Sequence, residues 1–170
     1  MLWAALLWLR LSGATPFSPA LPPFPPPPPV AGEIDHILVD KSLRLMVLYQ
    51  DGRPVRAWRV ALGFTPEGAK SRQGDGKTPE GRFRIDRRND RSAFHLSLGI
   101  DYPQKAHRAA ARAAGVSPGG DIFIHGQPNA MPEGFRMRGD WTEGCIALTN
   151  AQMEELWRVT PLGVTIEIRR

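Results

Sequence analysis

The stretch "SLRLMVLYQDGRPVRAWRVALG", residues 42–63, alternates in character on both sides of an Asp51-Gly52 pair. Leu43, Leu45, Val47 and Tyr49 form one apolar set, with a second at Met46 and Leu48. After the pair, Val55, Ala57 and Arg59 alternate with Arg56, Trp58 and Val60. A period of two that includes β-branched residues is the signature of a strand, whose successive side chains point to opposite faces. Asp-Gly supplies the positive φ of a tight hairpin turn. The chain therefore opens its folded part as a β-meander.

Reading outward, "EIDHILVD" (33–40) places Ile34, Ile37 and Val39 among polar residues, and "GRFRID" (81–86) and "FHLSLGID" (94–101) add two more strands. "DIFIHG" (121–126) is a short buried strand ending in a histidine, and "GVTIEIRR" (163–170) closes the chain as a strand. Helices are expected twice. "QKAHRAAARAAG" (104–115) is rich in helix formers, with Gly115 as its C-terminal cap and His107 on a polar face. "NAQMEELWRVT" (150–160) has Asn150 as its N-cap and a core stripe of Met153, Leu156 and Trp157. The fold class is mostly β with one or two helices, and there is no internal repeat.

Residues 63–81 are rich in glycine, proline and charge and form a surface loop. The "GDGKT" inside it is not a phosphate-binding loop. That motif needs glycine where Ser71 stands, between a strand and a helix.

The first thirty residues differ in kind. Residues 1–14, "MLWAALLWLRLSGA", are an apolar run broken only by Arg10, which reads as a secretory signal peptide or a short anchor. Residues 15–30 are a proline-rich linker, extended because proline fixes φ and removes backbone donors. Residues 31–170 are then the single domain, exported to the periplasm or cell envelope, with membrane proximity arising only through the leader.

The formal charge of +5 comes from scattered Lys and Arg without interleaved aromatics, so no nucleic acid partner is expected. Four dispersed histidines and one cysteine lack the paired spacing of a zinc site, and no metal or cofactor is expected. The sequence sets no oligomeric state.

Cys145 is the one cysteine, so no intrachain disulfide forms. An unpaired cysteine is often simply buried. The other reading pairs it with His125: an imidazole within reach takes the thiol proton, holds a thiolate-imidazolium pair and prepares the sulfur to attack a carbonyl carbon. Gly144 allows close backbone approach, and the Gly144 and Cys145 amides are candidate oxyanion donors, each worth about 3 to 4 kcal/mol in such a transition state. No histidine follows Cys145, which excludes the papain order of residues. Of the other histidines, His36 and His95 fall in strands, where histidine is more often structural or exposed, and His107 belongs to a helix.

"KTPEGRFRI", "DYP" with "GVSPGGDIFIHGQP", and "TEGCIALTN" occur in that order. Together they resemble the catalytic domain of the L,D-transpeptidases (YkuD type), over about Ile34 to the C-terminal strand. The resemblance implies a β-sandwich-like fold with a cap over the cleft. It implies Cys145 as the acyl-accepting nucleophile, His125 as its base, the Gly126 carbonyl as the group orienting the imidazole, and Gly144 in the oxyanion turn. It further implies peptidoglycan stem peptides as substrates, without a cofactor. Where the family often has Ser-His-Gly-Cys and an arginine two residues on, this chain has Thr142-Glu143-Gly144-Cys145 and Ala147, similar to a Gram-negative-type variant. Arg136 or Arg138 is expected to replace that charge, and Trp141 and Thr142 to contact substrate. The rivals are a carboxypeptidase or crosslink-cleaving hydrolase on the same scaffold, and a catalytically silent peptidoglycan-binding module.

Overall fold

The computed structural model describes residues 27–170. The expected leader, residues 1–14, and residues 15–26 of the proline-rich linker lie outside the described residues. The end of that linker is packed: Val30 joins the hydrophobic core, and its N–H donates to Glu155 Oε1 at 2.9 Å. Arg56 binds both the Pro28 carbonyl and, at 2.8 Å, Glu155.

β1 (His36–Asp40) pairs antiparallel with β2 (Leu45–Gln50), which pairs antiparallel with β3 (Arg53–Arg59). Asp51 and Gly52 between them sit at φ 50° and 70°, as the expected turn requires. Of the two apolar sets in β2, Met46 and Leu48 are the ones fully buried; Leu43 in the preceding turn is exposed. β4 (Gly81–Ser92), β5 (His95–Ile100), α1 (Lys105–Ala113), β6 (Phe123–His125), β7 (Ile146–Ala147), α2 (Asn150–Val159) and β8 (Thr165–Arg169) follow.

The eight strands form one mixed sheet in the order β3-β2-β1-β8-β4-β5-β6-β7, with β1/β8 and β6/β7 parallel and the other pairs antiparallel. β4 serves both halves: Gly81–Arg84 pairs with β8 and Ile85–Ser92 with β5. The two ends of this order then meet. Ala61, just beyond β3, exchanges backbone hydrogen bonds of 3.0 and 2.8 Å with Ala147 in β7. Phe64 N–H donates to the Thr142 carbonyl at 2.9 Å, and Thr142 N–H to the Leu62 carbonyl at 3.1 Å. The sheet thus curls back on itself, which removes a free edge and brings the 142–147 segment beside the end of the hairpin.

Between its layers lie Ile37, Val39, Phe83, Ile85, Leu98, Ile100, Ile124, Ile146, Ile166 and Ile168, together with Met153 and Leu156 from α2. The N-cap of α2 is Thr149, one residue earlier than expected. Its hydroxyl accepts the Gln152 N–H at 3.3 Å, and Gln152 Oε1 accepts the Thr149 N–H at 3.1 Å, a reciprocal capping box. Asn150 instead accepts the Gln127 N–H at 2.8 Å. At the other end Arg88 donates to the carbonyls of Trp157 and Thr160 and stacks on the Trp157 ring at 4.0 Å. The C-cap of α1 is Ala114, one residue earlier than expected, with Gly115 next at φ 68°. His107 does not face solvent fully: its ring lies 4.9 Å from Tyr102 and 5.7 Å from Phe83, because α1 packs that side on β4.

Candidate active site

Strand register puts the sulfur and the imidazole on one face. Ile124 pairs with Ile146 and His125 with Ala147 in the parallel β6/β7 ladder, and the isoleucines face the core. The alternate residues Phe123 and His125, and Cys145 one residue before β7, therefore face the other way. There Cys145, half-buried, and His125, buried, line the same groove of about 860 Å³.

The imidazole is fixed on its Nδ1 side. That nitrogen lies 2.7 Å from the Gly126 carbonyl, an acceptor only, so Nδ1 carries the proton and Nε2 keeps the lone pair. Phe94 lies 4.6 Å and Trp141 5.6 Å from the ring, centroid to centroid. Gly126 is required: a Cβ there would stand 2.6 Å from Asn150 Oδ1 and 2.9 Å from His95 Cβ.

Cys145 Sγ accepts the Phe123 N–H at 3.4 Å and donates to the Asp121 carbonyl at 3.5 Å. Burial pushes the thiol up, against the Phe123 N–H, and the Asp121 and Glu143 carboxylates push it the same way. Burial likewise pulls His125 below the ordinary imidazole value, opposed by the Gly126 carbonyl. Burial thus opposes charge on both the sulfur and the imidazole in the free groove.

The turn before the sulfur is pinned by Thr142. Its hydroxyl donates to the Cys145 carbonyl at 2.7 Å and accepts the Gly144 N–H at 3.2 Å. The Gly144 amide is thus already used, which leaves the Cys145 N–H as the candidate oxyanion donor. Trp141 and Thr142 line the groove; Arg136 and Arg138 are exposed and do not. They lie in the β6–β7 connection, which Gln127 secures by accepting the Met137 N–H at 2.8 Å, outside the lining.

The lining cation is Lys70, which sequence reasoning missed. It is buried and paired with Asp75 at 2.8 Å. Asp75 also accepts the N–H groups of Ser71, Arg72 and Lys77. Burial opposes its ionisation, yet Lys70 and the three amides outweigh that and hold the carboxyl far below the carboxylate range. Its folded value is depressed, so its contribution to stability is complete above about pH 4 and is lost as pH falls through the folded value. Asp75→Asn is expected to cost about 3 kcal/mol at pH 7, because it leaves Lys70 charged and unpaired. The difference from wild type should shrink in thermal melts toward pH 2.

Phe94 and the backbone groups of Asp121 and Phe123 were also missed. Their only sequence signal is position at the end of a strand or in a turn.

Residues 34–168 match the YkuD L,D-transpeptidase catalytic domain. A search of curated proteins finds no match. Among solved structures, the helical cell shape determining protein Pgp2 from Campylobacter jejuni is similar, with TM-score 0.63 and 26% identity over 82% of this chain and 48% of that one. The L,D-transpeptidase of Xylanimonas cellulosilytica has TM-score 0.55 and 19% identity over 85% and 64%. That of Enterococcus faecium has TM-score 0.51 and 18% identity over 81% and 50%. The chain spans about half the length of the Pgp2 chain it matches. A match that runs from just before β1 almost to the end of β8, on a shared fold, makes this chain a member of the YkuD family of L,D-transpeptidase catalytic domains.

Proposed function

We propose that the chain is an exported cysteine acyltransferase that acts on peptidoglycan stem peptides in the cell envelope. The observation that carries this reading is the placement of Cys145 and His125 on one face of β6/β7 in one groove, with Nδ1–H tied to the Gly126 carbonyl.

Nε2 of His125 takes the thiol proton, and the sulfur attacks the carbonyl carbon of a stem-peptide amide. The developing oxyanion receives the Cys145 N–H. Collapse breaks the C–N bond, and His125 returns the proton to the departing amine. A thioester at Cys145 remains. An amine of a second stem then attacks it, giving its proton to His125, and the thiol is restored as the new amide forms. Trp141 and Thr142 wall the groove where the donor lies. Arg136 and Arg138 are available to substrate outside it.

Water in place of the amine gives hydrolysis. The test is mass spectrometry of muropeptides incubated with the protein. New dimers are expected; shortened monomers alone make it a hydrolase, and unchanged muropeptides favour a binding module and remove the proposal.

A further inference from the structure

The turn joining β4 to β5, residues 92–95, is braced by Asn129 from the far side of β6. Asn129 Nδ2 donates to the Ser92 carbonyl at 2.9 Å, Oδ1 accepts the His95 N–H at 2.8 Å, and the backbone N–H donates to the Ala93 carbonyl at 2.9 Å. Within the turn, Ser92 Oγ accepts the Phe94 N–H at 3.0 Å. His95 is held at φ 68°, a conformation that a non-glycine residue keeps only where its surroundings over-determine it. Its imidazole is 2.8 Å from Glu154 on α2.

What the brace delivers is Phe94. Its carbonyl accepts the Gly126 N–H at 3.0 Å, and its ring covers His125 at 4.6 Å and approaches Trp141 at 6.0 Å. Phe94 is still 36% exposed. A ring this accessible is held by its backbone rather than by core packing, so loosening the turn frees it.

We propose that Asn129 is a positioning residue: by bracing the 92–95 turn it holds the Phe94 ring against His125, shielding the imidazole from water and fixing its plane. This rests on His125 being the base of the proposed reaction. The charged and titratable groups around the imidazole are Cys145 and Glu143 from the nucleophile turn, Asp121 from the segment before β6 and the Lys70–Asp75 pair from the groove wall. Behind the turn stands the His95–Glu154 pair. None hydrogen-bonds to the His125 ring, whose one such partner is the Gly126 carbonyl. The brace therefore controls hydration and not charge. Because burial is what lowers His125, wetting raises it toward the ordinary value of about 6.5.

The experiment follows the histidine resonances by NMR titration, alongside alkylation of Cys145 by iodoacetamide from pH 5 to 9, in the full chain and in Asn129→Ala, Phe94→Ala and Phe94→Leu. His125 should titrate below 6.5 in wild type and move upward in Asn129→Ala and further in Phe94→Ala, while Phe94→Leu keeps most of the cover and most of the wild-type midpoint. An imidazole of pKa about 6.5 is only about a quarter neutral at pH 6, so labelling there falls up to about fourfold, with little change at pH 8. A His125 midpoint unmoved in both alanine variants overturns the inference, as does an equal loss at pH 6 and pH 8. Phe94→Ala removes a partly exposed ring and serves if Asn129→Ala does not fold. Neither readout uses a peptide. Muropeptides left unchanged by wild type would remove the reaction and leave the titration standing, whereas an unmoved titration would remove the brace alone.

Discussion

Cys145→Ser is expected to lower acyl transfer by at least about four orders of magnitude, because loss of a covalent nucleophile removes the step that the rest of the site serves. Serine is the sharper test than alanine, since it keeps a hydroxyl able to accept the Phe123 N–H and donate to the Asp121 carbonyl. The fold should persist. The loss then reports chemistry: an alcohol gives up its proton far less readily than a thiol, and His125, lowered by burial, is a weak base. Its orienting partner is the neutral carbonyl of Gly126, where serine enzymes place a carboxylate that stabilises the imidazolium. Intact-protein mass spectrometry with a carbapenem-type β-lactam should show an adduct on wild type and none on the serine variant. More than about one part in a hundred of wild-type turnover in the serine variant would mean that the sulfur is not the acyl carrier.

Local periodicity made most strands and both helices legible. Leu45 to Gln50 and Arg53 to Arg59 could be drawn as a hairpin from alternation and Asp-Gly alone. Which apolar set of β2 faced inward was not available, because period two is satisfied by either face; only the folded sheet buries Met46 and Leu48. The curling that joins Ala61 to Ala147 is equally invisible, being two backbone hydrogen bonds across 86 positions. At the site, Cys145 and His125 stood out by residue type and order. Phe94 and Asn129 did not, for a phenylalanine beside a turn and an asparagine in a loop have ordinary local explanations. The electrostatics of the pair was not legible for a related reason: reference pKa values describe groups in water, and desolvation of Cys145 and His125 exists only once the groove does. Arg136 and Arg138 were near in sequence to the sulfur, yet Lys70 is the cation that folding brings into the lining.

Gly144→Ala tests whether the nucleophile turn tolerates any displacement. Gly144 sits at φ 130°, open to glycine and costly for other residues, and a Cβ there would stand 2.6 Å from the Lys77 carbonyl oxygen and 3.3 Å from Ile122 Cδ1. The first of these is backbone, in a segment held by the Asp75 network and by the Gly63 N–H donating to Thr78 Oγ1 at 3.0 Å, so it does not yield as a side-chain tip would. The turn must move instead. Its own pins, Thr142 to Gly144 N–H and to the Cys145 carbonyl, are then strained or broken. Backbone strain and overpacking together set an expected destabilisation of about 2 to 4 kcal/mol by chemical denaturation. A nucleophile misplaced by about 1 Å loses about a hundredfold in rate. Gly52→Ala is the control: it shares a positive φ of 70° but meets nothing within 4 Å, so it should cost about 1 kcal/mol and leave Cys145 labelling unchanged. Equal stability losses with equal labelling in the two variants would show that the sulfur's position does not depend on the tight approach of Gly144 to Lys77.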